Sequence, residues 1–72
     1  MAESWSQNVF SSHVSVVGYD GETGDLLITW KNGRRSAYAG VPENVAVQLA
    51  NAPSVGTMLD SEIKNVYPHR YV

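Results

Sequence analysis

Cysteine is absent from this 72-residue chain, which excludes disulfides and thiolate metal sites, the usual staples of domains this small. The two histidines, His13 and His69, lie far apart without the paired spacing of a zinc site, so neither a metal nor a cofactor is expected. Charge is sparse as well. Seven acids against five bases give a net charge of −2, which argues against gripping duplex DNA through many phosphates. No apolar run approaches the roughly 20 residues that cross a bilayer. Met1-Ala-Glu-Ser-Trp5 has neither the basic start nor the apolar stretch of a signal peptide. The expectation is a cytoplasmic protein with no membrane partner.

Catalytic signals are missing too. No serine sits in a Gly-x-Ser-x-Gly elbow, and no nucleophile, base and orienting group form a recognisable set, so a non-enzymatic protein is expected. Asp20, Glu22 and Asp25 crowd one loop, but without the alternating ligands, mid-loop glycine and distal glutamate of a calcium loop. They read as an ordinary solvated turn.

What is present is a series of extended segments punctuated by turn residues. Strands are predicted over His13–Tyr19, Asp25–Lys31 and Arg34–Tyr38, with Leu26, Ile28 and Trp30 alternating onto the core face of the middle one. Asp20-Gly-Glu-Thr-Gly24 joins the first two, and Asn32-Gly33, the signature of a two-residue hairpin, joins the second and third. Pro42 suits a first helical position, and Glu43 the positive end of the same helix. Val41, Val45 and Leu49 then give a narrow apolar stripe that ends before Pro53. Ser54 and Asp60 are both plausible N-caps, Asp60 for a last helix carrying Ile63 and Val66 that Pro68 stops. The fold class is therefore α+β, a three-stranded antiparallel meander followed by two short helices on one face. Residues 1–12, with four serines, Gln7 and Asn8, read as a flexible tail, and residues 13–72 as one domain.

Three groups of residues are candidates for binding. Lys31, Arg34 and Arg35 flank one turn and Asp20, Glu22 and Asp25 the other, so a meander places a basic tip and an acidic tip at opposite ends. The basic tip complements an acidic partner surface, although charged hairpin tips also serve solubility alone. Trp5, Val9 and Phe10 stand out in an otherwise polar stretch as partner-docking anchors; Val9 and Phe10 have the alternative of folding back as an edge element over the core. Tyr38, Tyr67 and Tyr71, near Arg35, Lys64 and Arg70, could stack on single-stranded RNA or simply close the edge of a thin core.

Taken in order, Val9 with Ser11-Ser12, Val17-Gly18-Tyr19-Asp20, Leu26/Ile28/Trp30 before Lys31-Asn-Gly33, and Tyr38 with Gly40-Val41-Pro42 resemble the KTSC family. So do Ala52-Pro-Ser-Val-Gly56 and Asp60 with Ile63-Lys64 and Tyr67. That family is named for a domain at the C-terminus of some lysyl-tRNA synthetases and also occurs alone in small bacterial and phage proteins. The chain departs from the family pattern in Ser36-Ala37-Tyr38, Met58-Leu59, Asp60 and Lys64. The lone-domain form is similar to a small phage-encoded regulator that binds bacterial RNA polymerase and alters initiation and termination. The resemblance thus implies a regulatory protein whose partner is RNA polymerase; the company of a synthetase implies, as the alternative, a module for single-stranded RNA or tRNA.

Overall fold

Leu26, Ile28 and Trp30 alternate with Leu27 and Thr29, the period-two pattern of a strand with one covered face. A computed structural model, which describes residues 4–72, realises this pattern in strand β3, Asp25–Trp30. Around it run β1 (Trp5–Asn8), β2 (Val14–Asp20), β4 (Arg35–Tyr38) and β5 (His69–Tyr71). Each strand is antiparallel to the next, in the order β1-β2-β3-β4-β5. Between β4 and β5 the chain forms two helices, α1 (Glu43–Ala50) and α2 (Val55–Met58), and α2 continues into one wide π-type turn, Leu59–Ile63. The fold is α+β as the sequence indicates, but the sheet has five strands, not three.

Both extra strands escaped the sequence pattern for physical reasons. Trp5–Asn8 lies in the stretch expected to be a flexible tail, residues 1–12; residues 1–3 are outside the described part. Its polar composition hides an edge strand held chiefly by backbone pairing to β2, from Trp5 opposite Tyr19 to Asn8 opposite Val16. The Gln7 amide donates to the Ala50 carbonyl at 3.3 Å, and Trp5 and Val9 pack against the core. At the other edge, β5 has three exposed residues and no apolar alternation, so only its backbone register beside β4 reveals it.

The core lies on one face of the sheet. Val17 and Tyr19 of β2, Leu26 and Ile28 of β3 and Tyr38 of β4 are buried there against Val41, Ala46, Leu49, Val55, Leu59 and Ile63. A register irregularity between Val14 and Val16 lets Val14 and Val17 both turn inward despite their odd spacing. The Tyr19 hydroxyl donates to the Val41 carbonyl at 2.7 Å, fastening β2 to the start of α1.

Local signals were shifted rather than lost. Pro42, with φ −64°, is the residue just before α1 and not its first helical residue. Ser54 caps α2, accepting the Thr57 amide, whereas Asp60 sits inside the wide turn and caps nothing. The hairpin between β3 and β4 also differs from the two-residue form. Trp30 N–H donates to the Arg34 carbonyl at 2.8 Å across a three-residue loop, Lys31-Asn32-Gly33, with only Gly33 at positive φ (+90°). That is a turn followed by a left-handed glycine, which suits Asn-Gly as well as the shorter form does. No helix of the described residues is long and apolar enough to cross a membrane.

Candidate functional site

A five-strand meander has two ends, and its connectivity decides which side chains meet at each. The segment after β1, the β3–β4 hairpin and the end of β5 gather at one end, where Lys31 N–H donates to the His13 carbonyl at 2.8 Å. Phe10 is fully exposed at that end, where it borders a concavity with Trp30 and Lys64, and Lys31, Arg34 and Arg35 are exposed on and beside the hairpin loop. Among the described residues the salt bridges are Lys64–Asp60 and Arg70–Asp25, so none of these three cations is neutralised by one. The fold therefore puts Phe10 and the basic tip at the same end of the sheet, a placement that their separation in sequence does not announce.

Trp5 is elsewhere. It begins β1 at the opposite end, where its indole donates to the Glu43 carboxylate at 3.1 Å and its ring lies 6.1 Å from that of Tyr19. Val9 is partly buried against the core, and its N–H donates to the Ser15 carbonyl at 3.1 Å, the folded-back arrangement. Phe10, next in sequence, points away from that core into solvent.

At the acidic end one carboxylate is paired with a cation and another is held ionised by a backbone N–H. Asp25 is paired with Arg70 at 2.8 Å, and the Glu22 N–H donates to Asp20 Oδ1 at 3.0 Å, which holds the Asp20 carboxyl below its ordinary range. Among the described residues, no three His, Asp or Glu side chains are arranged to hold a metal ion.

The three tyrosines have separate settings. Tyr38 is buried, and that burial pushes its phenol pKa up, with Tyr71 and Asp60 adding to the shift. Tyr67 is partly buried against the core, and Tyr71 is exposed on the edge strand. Between Tyr38 and Tyr71 stands His69, 5.0 Å from the first ring and 4.7 Å edge-on from the second.

Trp30, expected on the core face with Leu26 and Ile28, stands at the rim of that face. It is partly buried, and its indole donates to the hydroxyl of Ser36, the one buried polar residue among those described. The strand alternation was correct; α1 does not extend over the end of β3, and the shorter α2 and the wide turn border Trp30 instead. Residues missed by sequence reasoning, Ser36 and His69, share that rim. The signal for His69 was its two-residue spacing from Tyr71 just after Pro68, a pattern too short to recognise alone.

The sequence model of the KTSC domain matches residues 10–67. The crystal structure of a KTSC domain protein from Yersinia pestis, 30% identical in sequence, superposes with a TM-score of 0.88 over 97% of this chain and 99% of the other. No curated protein matches significantly.

Proposed function

The chain belongs to the KTSC domain family, and from that premise we propose that it is a non-enzymatic binding module that docks its turn end on a large bacterial protein assembly, RNA polymerase, and so regulates transcription. The observation that carries this reading is the fully exposed Phe10 at the same end of the sheet as Lys31, Arg34 and Arg35, three exposed cations that form no salt bridge among the described residues. An aromatic ring left in water gains when a partner pocket buries it, by about 2 kcal/mol or more at a hot spot. Cations at the same end speed encounter with an acidic surface. The choice of polymerase rests on the resemblance to a small phage-encoded regulator of that enzyme.

The test is capture from nuclease-treated bacterial lysate on the immobilised full chain, read by mass spectrometry. Polymerase subunits should be enriched by the parent and depleted when Phe10→Ala, Arg34→Glu and Arg35→Glu are combined. Retention of RNA alone, abolished by nuclease, would turn the reading toward the RNA-binding alternative.

A further inference from the structure

Trp30, Ser36 and Tyr71 stand on the helix-bearing face of three neighbouring strands. Ser36 is directly opposite Tyr71, and Trp30 reaches Ser36 from β3 through the 2.8 Å indole bond. Because the residue between the two aromatics is only a serine, fully buried, a groove remains there with both rings on its border. His69 and Tyr38 continue it along the next row.

The wide turn Leu59–Ile63 closes the groove from the helix side. Its i→i+5 bond, from the Lys64 N–H to the Leu59 carbonyl at 2.8 Å, accompanies the burial of Leu59 and Ile63 and leaves Asp60 and Lys64 at the groove. Such single π-type turns recur at functional sites. Asn65 joins them from the same side, while Arg34 and Asn32 stand at the hairpin mouth. Asn32 Oδ1 already accepts the Arg34 N–H at 2.9 Å, so its amide NH2 is the group left to donate. The space measures about 510 Å3, within the range of small-ligand sites.

These groups sort into three chemical functions. Aromatic walls favour a flat ring. The two amides and a carboxylate can read the polar edge of that ring, and Arg34 and Lys64 can take an anion attached to it. The Lys64–Asp60 pair, 3.7 Å apart and exposed, is loose enough to yield its ammonium to a better anion. We propose that this groove binds a 5′-nucleotide, with the base against Trp30 and Tyr71 and the phosphate at Arg34 and Lys64. The nucleotide comes either free or as one residue of a single strand.

The experiment is a titration of the full chain followed by amide and indole NMR shifts. AMP should shift Trp30, Ser36, His69 and Tyr71 saturably, with a dissociation constant of about 1 mM or tighter. Adenosine, lacking phosphate, and ribose 5-phosphate, lacking the base, should each bind roughly tenfold more weakly. Tyr71→Ala and Lys64→Gln alter exposed side chains and keep the fold, and each should weaken AMP roughly fivefold. A short oligonucleotide that binds the same residues much more tightly than AMP identifies the strand as the source; equal affinity identifies the free nucleotide. Absence of saturable groove shifts with AMP, GMP, CMP and UMP alike, or full AMP affinity in Tyr71→Ala, overturns the assignment.

Discussion

The indole Nε1 of Trp30 donates to the hydroxyl of Ser36 at 2.8 Å, tying the last residue of β3 to a buried position on β4. A partly buried donor that loses its acceptor keeps much of its desolvation cost, so Ser36→Ala should destabilise the fold by about 1–2 kcal/mol. Trp30→Ala should cost roughly 2 kcal/mol, below the ~3–5 kcal/mol of a fully enclosed tryptophan, because the ring sits at the rim. Urea denaturation measures both. Parent-like stability in Ser36→Ala would mean that water replaces the bond without loss.

The first strand makes a second prediction. Trp5 donates to Glu43 and packs near Tyr19, while its backbone pairs with β2. Trp5→Ala should lose about 1–2 kcal/mol through the hydrogen bond and the ring contact. Deleting residues 1–8 should cost more and open the β2 edge to amide hydrogen exchange at Val17 and Tyr19. A truncated chain with unchanged exchange there would show that β1 adds nothing to the sheet.

Gly33 occupies the left-handed region at φ +90° with nothing within 4 Å of where a Cβ would stand. Gly33→Ala therefore introduces backbone strain without a clash, and should cost about 1–2 kcal/mol. Thermal unfolding decides it: an alanine variant as stable as the parent would mean the loop relaxes to another turn.

These positions also mark what was legible beforehand. Leu26 and Ile28 announced the covered face of β3, and the turn residues at Asp20–Gly24 and Asn32-Gly33 announced the meander, because period-two alternation and turn chemistry are local. The edge strands were not legible: Ser6, Gln7 and Asn8 carry no apolar pattern, and their pairing is a backbone property completed only by β2. Trp30 was assigned to the right face but too deep, since how far a helix extends over a sheet depends on loop geometry and not on periodicity. The basic tip was visible in Lys31, Arg34 and Arg35; its placement at the same end as Phe10 and the rim formed by Ser36 and His69 arise only when distant segments meet.

Two titrations give a pH dependence of opposite signs. Burial raises the Tyr38 phenol pKa, so the unfolded chain ionises first. This contribution to stability is complete below the ordinary tyrosine range and is lost as pH rises through the raised value. The Asp20 carboxyl is lowered chiefly by the Glu22 N–H, so its contribution is present above the ordinary carboxylate range and is lost as pH falls through the lowered value. Melting temperatures across pH should show a smaller alkaline decline in Tyr38→Phe and a smaller acid decline in Asp20→Asn, each relative to the parent. Superimposable profiles would contradict both assignments.

The docking account is tested most directly by the association rate of the purified full chain with purified bacterial RNA polymerase at low and high salt. The account predicts saturable binding whose on-rate falls at least roughly tenfold when Arg34→Glu and Arg35→Glu are combined. It also predicts that the salt dependence largely disappears in that variant, and that Phe10→Ala chiefly accelerates dissociation. No binding, or identical kinetics for parent and both variants, would contradict it.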